Sequence, residues 1–273
     1  MKKAVFLFLM LSLISCNKEA DELPVDTSLI ALKSPQKILA DKIISCFEND
    51  TPVIQYSYIE YLDDGRGYTA GKAGFTTATG DLLSVVEKYT ELVPNNLLAP
   101  FIPTLKKRAA AESDNVAGLE GLPDAWVAAS ADSNFIKAQD FISDSFYYEP
   151  ALEYGVELGV KLPVTILCMY DCCIQHGDGD DPDGINSIIE QTNSYFGGSP
   201  ADGTDEFDWL LKFNEIRRAI LLDPTDPDTQ DEWAESVGRV DALDKIIQVD
   251  MNYELTQPTV SINPFGTLHI INL

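Results

Sequence analysis

Only one stretch of this chain, Gln55 to Ala78, carries the alternation and turn chemistry of β-structure, while almost every other apolar run recurs at helical spacing. That imbalance predicts a mainly α fold with a small β-sheet, an α+β arrangement in which helices supply the core. Gln55 to Leu62 is rich in Tyr and Ile, Asp63-Asp64-Gly65-Arg66-Gly67 has turn composition, and Tyr68 to Ala78 is expected to return as a strand. Before it, Ile38, Leu39, Ile43, Ile44 and Phe47 predict a first helix from Pro35 to Phe47 with Ser34 as N-cap. After it, Thr79 reads as an N-cap and Asp81 lies in the first turn of a helix carrying Leu82, Leu83, Val85 and Val86. Further helices are expected over Leu97 to Arg108, Asp124 to Ser130, Asn134 to Phe146, Glu153 to Gln175, Gly184 to Tyr195, Asp205 to Leu222 and Thr229 to Val249. With 273 residues and 45% hydrophobic content, these helices can bury a substantial core, and no fixed-period repeat points to a solenoid or propeller.

The N-terminus has Lys2 and Lys3, an apolar run from Ala4 to Ile14, then Ser15 and Cys16. This is the pattern of a secretory signal, and Leu13-Ile14-Ser15-Cys16 resembles a bacterial lipobox. Residues 1–15 are therefore expected to be a lipoprotein signal peptide, Cys16 the lipidated residue and residues 16–33 a tether before a folded region over 34–273. The expected location is outside the cell or on the bacterial outer membrane, with membrane contact only through the anchor. Loss of Lys2 and Lys3 with the signal would carry the formal charge from −25 to −27. Such an acidic surface disfavours nucleic acids and anionic lipid headgroups as partners and suits a cationic ligand.

The remaining cysteines, Cys46, Cys168, Cys172 and Cys173, lack both disulfide-framework and zinc-site spacing, so buried free thiols are expected. The acidic loops at 177–184 and 223–228 invite a calcium reading, but neither has the ligand order of an EF-hand, and solvated loops are expected. No metal and no cofactor are expected.

Chemistry is suggested by Glu48 and Asp64, an acid at the end of the first helix and an acid opening the Gly-rich turn. Glycoside hydrolysis needs two carboxyl groups, one protonated for the leaving group and one ionised for water or direct attack. Glu48, at the negative end of a helix dipole and beside Phe47, has reasons to hold its proton, whereas Asp64 beside Arg66 should stay ionised. Either residue alone would also be accounted for as a surface helix-end acid or a turn acid.

The segment YIEYLDDGRGYTAGKAGFTTATGDLLSVVEKYTEL resembles the chitosanases of glycoside hydrolase family 46, and further similar blocks follow in the family's order through Phe213-Asn214-Glu215-Ile216-Arg217. The resemblance implies a lysozyme-like fold of two lobes with a substrate cleft and an endo-acting, inverting hydrolase of chitosan; separately, the chain is expected to be a monomer. It places Glu48 as general acid, Asp64 as general base and Thr69 as the hydroxyl that helps hold the attacking water. Arg66, Asp81 and Tyr147 fall at positions near substrate, although Asp81 is equally accounted for as a dipole-compensating acid.

Asp171 lies in the most apolar helix of the chain and needs a cation. The resemblance implies an ion-pair network linking the general base to arginines, with Arg217 as one of them. Tyr195 to Phe213 offers only Lys212 as a cation, so a second arginine is expected to be missing. His176 reads as a C-terminal capping residue. Chitosan or glucosamine oligosaccharides are the expected partners. A non-catalytic binder of the same oligomers and a lysozyme-like peptidoglycan hydrolase are the competing readings.

Overall fold

The computed structural model describes residues 25–179 and 181–273, so the predicted signal and Cys16 lie outside the described residues. The chain is mainly helical, with two small antiparallel sheets. In order the elements are α1 (Ser34–Asn49), β1 (Ile59–Tyr61), β2 (Tyr68–Ala70), β3 (Phe75–Thr76), α2 (Asp81–Leu92), α3 (Ile102–Ala110), α4 (Leu122–Ala129) and α5 (Ser133–Ser143). They continue as α6 (Glu149–Leu158), α7 (Pro163–His176), α8 (Ile185–Phe196), α9 (Glu206–Leu222), α10 (Gln230–Glu235), α11 (Gly238–Asp244), β4 (Thr259–Ile262) and β5 (His269–Asn272). Two units result, one made of residues 25–53 with Tyr147–Leu273 and the other of Ile54–Phe146.

The first unit is organised around α7, which is apolar on every side and accordingly buried along nearly its whole length. Leu39, Ile43 and Phe47 of α1, Ile188 of α8, Trp209 and Phe213 of α9 and Leu243 of α11 join its core. Each such side chain contributes roughly 1.5–3 kcal/mol relative to exposure. The helix predicted over Glu153 to Gln175 is broken in two. Gly159 ends α6 in a left-handed conformation (φ 68°), and Pro163 opens α7 within its first turn. The exposed amides at this junction are not wasted: those of Lys161 and Leu162 donate to the Glu206 carboxylate at 2.8 and 2.9 Å, as does the Thr165 hydroxyl at 2.7 Å. The segment Thr229 to Val249 likewise divides, into α10, α11 and a π turn at Lys245–Val249.

A second β region, absent from the sequence reading, closes this unit. β4 and β5 pair antiparallel, with Ile262 opposite His269 and Val260 opposite Ile271. Val260, Ile262, His269 and Ile271 point inward. The hairpin is fastened to α1: His269 Nε2 lies 2.9 Å from Asp50 Oδ1, and Lys42 Nζ donates to the Asn272 carbonyl at 2.7 Å.

The second unit sets the β1-β2-β3 sheet beside α2–α5 around Tyr89, Trp126 and Phe135, whose rings meet at centroid distances of 5.0 and 4.8 Å. Strand β1 is shorter than the predicted Gln55 to Leu62 because the Tyr56 carbonyl accepts from Trp126 Nε1 and Gln139 Nε2. Those side chains satisfy the backbone where a ladder would otherwise have done so.

Candidate active site

Glu48 lies in the last turn of α1, which extends past the predicted Phe47 and ends where Asp50 adopts φ 51° and donates its amide to the Cys46 carbonyl. At the other end the helix starts at Ser34, so Lys33 rather than Ser34 occupies the cap, its amide donating to Gln36 Oε1 at 2.8 Å. The Glu48 side chain is only 9% exposed. Burial raises its pKa, opposed by the charge and hydrogen bond of Arg239, with Asp171 adding a further upward push.

Arg239 of α11 is the second arginine that the sequence reading found missing. Its Nη2 donates to Glu48 Oε1 at 2.8 Å and to Asp171 Oδ1 at 2.7 Å, its Nε also reaches Asp171, and its Nη1 donates to Gln175 Oε1. Arg217 Nη2 meets Asp171 Oδ2 at 2.5 Å. Burial alone would push Asp171 upward, yet Arg239 and Arg217 hold it below the usual carboxylate range. The network thus ends on Glu48, where the family pattern had suggested the general base. Arg239 shares a face with Ala242, Leu243 and Ile246, and a cation on an otherwise apolar helical face was the sequence signal for it. Gln175, four residues after Asp171 and on the same face of α7, had no comparable signal.

Asp64 sits in the β1–β2 turn of the second unit. Its carboxylate accepts from the Arg66 amide at 3.0 Å and from the Arg66 guanidinium at 3.1 and 2.5 Å. Partial burial works upward, but the Arg66 hydrogen bonds and charge prevail, leaving the Asp64 pKa lowered. The turn needs its second glycine: Gly67 has φ 77°, and a Cβ there would lie 2.1 Å from Thr77 Oγ1. Thr69, on β2 opposite Glu60 and Thr76, is fully buried, and its Oγ1 has no hydrogen-bond partner among the described residues.

Asp81 opens α2, and Gly80 rather than Thr79 holds the cap position. Asp81 Oδ1 accepts from the Thr76 amide, the Leu82 amide and the Thr79 hydroxyl at 2.6, 2.8 and 2.6 Å. Burial nevertheless dominates and raises its pKa to about 6. Tyr147, in the first unit, is half-buried against that unit's core.

Cys46, Cys168, Cys172 and Cys173 are free and buried, with Cys46 and Cys172 raised to about 12 by desolvation. Thiols held protonated in this way are not nucleophiles. His176 ends α7 with Nδ1 2.9 Å from the Asp183 carbonyl, and burial lowers its pKa well below the ordinary value, so it is neutral. The two acidic loops are stitched together by Thr225, whose amide and hydroxyl both donate to Asp183 Oδ2 at 2.7 Å. Among the described residues, no group of His, Cys, Asp and Glu is arranged to hold a metal ion.

The model of glycosyl hydrolase family 46 matches residues 42–259. The chain belongs to glycosyl hydrolase family 46. It is 49% identical over 240 residues to a chitosanase of Bacillus subtilis (strain 168), covering 88% of this chain and 86% of that one. A Streptomyces sp. (strain N174) chitosanase is 33% identical over 87% of this chain and 82% of its own. Among solved family 46 relatives, the Gynuella sunshinyii chitosanase in complex with chitotetraose is 46% identical, with a TM-score of 0.76 over 89% of this chain and 100% of that one. A mutant chitosanase of Bacillus subtilis MY002 complexed with 6 GlcN, in which alanine replaces a glutamate, has the same TM-score at 48% identity and the same coverage. The mainly helical architecture with small sheets is therefore the family's own.

Proposed function

We propose that this family 46 hydrolase is an endo-acting chitosanase that cleaves β-1,4 bonds between glucosamine residues by single displacement. Glu48 is the general acid and Asp64 the general base. The observation that carries this reading is the opposite setting of the two carboxyls: Glu48 is nearly buried at the end of α1, which favours its protonated form, whereas Asp64 accepts from the Arg66 amide and guanidinium, which favours its ionised one. Glu48 gives its proton to the glycosidic oxygen as the C1–O bond breaks. Asp64 takes a proton from water as the new C1–O bond forms on the opposite face, inverting the anomeric centre. Thr69 of β2 is the hydroxyl assigned to that water, a role supported by its Oγ1 having no hydrogen-bond partner among the described residues.

Substrate choice follows from charge. A formal charge of −25 concentrates a polyamine carrying protonated glucosamine units and does little for neutral chitin. The relatives named for chitosan, and those solved with chitotetraose or 6 GlcN, support the same substrate class. A relative held with glucosamine oligomer after loss of a glutamate fits the need for an acid such as Glu48. We also read the chain as an exported monomer anchored through Cys16, which a Cys16→Ala protein still found in the membrane fraction would contradict.

The test is reducing-end release from chitosan, chitin and peptidoglycan by wild type, Glu48→Gln and Asp64→Asn. Chitosan cleavage by wild type alone is expected, with losses of about 10²-fold or more in each variant. Full activity in either variant removes its assigned role, and an inert wild type leaves only a binder. The anomer of the first product, followed by proton NMR, decides inversion, since β-product would exclude it.

A further inference from the structure

Three groups restrain the Arg239 guanidinium. Asp171 Oδ1 takes Nε and Nη2, Glu48 Oε1 shares Nη2, and Gln175 Oε1 takes Nη1. The Phe47 ring lies against it, with 5.3 Å from the guanidinium carbon to the ring centroid. Gln175 is buried, so its amide oxygen has little access to solvent as an alternative partner. Asp171 and Gln175 stand four residues apart on α7 and grip the same cation from one helix face.

We propose that Gln175 is a positioning residue for the general acid: by holding one end of the Arg239 guanidinium, its side-chain carbonyl limits how much of that cation reaches Glu48. A guanidinium has five N–H donors in a rigid fork, and a buried donor left without an acceptor is costly. If the Gln175 oxygen were absent, the fork would be free to turn further towards the Glu48 carboxyl that it already touches, and favour its ionised form. A carboxylate at 175 would act in the opposite sense, drawing Arg239 away and adding negative charge beside Glu48. The amide is the neutral setting between these two.

The other charges around Glu48 do not provide this adjustment. From α7 comes Asp171, which is ion-paired, and from α9 comes Arg217, whose Nη2 is paired with Asp171. Cys172 stays a thiol and His176 stays neutral. Beyond Glu48, Asp50 is engaged by His269 of β5, while Asp41 is paired with Lys37 on α1. Gln175 is the uncharged group in contact with the very guanidinium that touches Glu48.

This inference rests on the assignment of Glu48 as general acid, and the experiment separates the two. The pH dependence of kcat/KM on a soluble glucosamine hexamer is compared for wild type, Gln175→Met, Gln175→Glu and Glu48→Gln, with thermal unfolding recorded for each. One common substrate means that ionisation of its amines cancels between proteins. The alkaline limb, which reports loss of the acid's proton, is expected to move down by about one pH unit in Gln175→Met and up by about one in Gln175→Glu. A purely structural residue would give two destabilised proteins whose limbs coincide with that of wild type. Coincident limbs, or limbs moving the same way, overturn the role of Gln175. Full activity in Glu48→Gln overturns the acid assignment instead. Should Gln175→Met fail to fold, Gln175→Glu measured against wild type still decides, since an unmoved or lowered limb contradicts the proposal.

Discussion

Replacing Asp81 by Asn tests the electrostatics of this fold apart from catalysis. The carboxyl is half-buried, and its desolvation outweighs the hydrogen bonds from Thr79, Thr76 and Leu82 to raise its pKa from 3.8 to about 6. A group that holds its proton more tightly when folded than when unfolded contributes stability below its unfolded pKa, and that contribution is lost as pH rises through the folded value. The gap of about two pH units, at 1.36 kcal/mol each, makes the loss between pH 4 and pH 7 roughly 3 kcal/mol. Asparagine keeps an Oδ1 that can accept all three bonds and cannot ionise. The Asp81→Asn protein should therefore match wild type near pH 4 and exceed it by up to about 3 kcal/mol at pH 7. For a chain of this size that corresponds to about 6–12 °C in melting temperature. Thermal unfolding followed by circular dichroism every half pH unit gives the answer. A difference between the two proteins that stays constant with pH would show that Asp81 titrates normally, and the burial argument would fail.

Asp171→Asn leaves Arg217 and Arg239 as buried cations without their shared counterion, so a loss of about 3–5 kcal/mol is expected in denaturant unfolding, and a loss below 1 would contradict the network. Gly159→Ala and Gly197→Ala form a matched pair. Both sites have positive φ, but a Cβ at 159 would lie 2.9 Å from Ala201 Cα, whereas nothing lies within 4 Å at 197. Gly197→Ala should cost about 1 kcal/mol and Gly159→Ala distinctly more, so equal losses in thermal unfolding would refute the steric account. Raising salt from about 10 mM to 0.5 M should lower kcat/KM on highly deacetylated chitosan several-fold. Salt-independent kinetics would remove the role given to the acidic surface.

What the sequence disclosed depended on whether a signal was local. The Asp64 turn was legible because its chemistry is contained in a few residues: an acid, two glycines and an arginine that folds back onto it. The need for a cation at Asp171 was legible from burial alone, since the helix around it is apolar throughout. Its second partner was not, because Arg239 is remote in sequence and lies on a short helix hidden inside a longer helical period. The C-terminal hairpin was overlooked for a related reason. Val260 and Ile262 alternate cleanly, but Leu268-His269-Ile270-Ile271 shows no clean alternation, and only pairing with β4 decides which residues turn inward. The break at Gly159 was visible as glycine and proline, yet the Glu206 carboxylate that makes it favourable comes from another helix.

With Glu48 as the proposed general acid, a cation beside it first looks counterproductive, because Arg239 favours the ionised Glu48 that the proposed reaction must begin without. The sum of charges resolves this. With Glu48 protonated, the cluster of Glu48, Asp171, Arg217 and Arg239 carries one net positive charge, and the proposed proton transfer to the departing sugar oxygen would bring it to zero. Burial supplies the resistance to ionisation in the ground state, and Arg239 supplies stabilisation of the carboxylate only as it forms. An acid governed by burial alone would keep its proton too well, and one governed by the arginine alone would lose it before substrate arrived. Catalysis by proton transfer is best when the pKa of the donor lies near the working pH. At Glu48 burial and the Arg239 cation oppose each other, with burial the larger, and this opposition is what the proposed contact of Gln175 on the guanidinium would adjust.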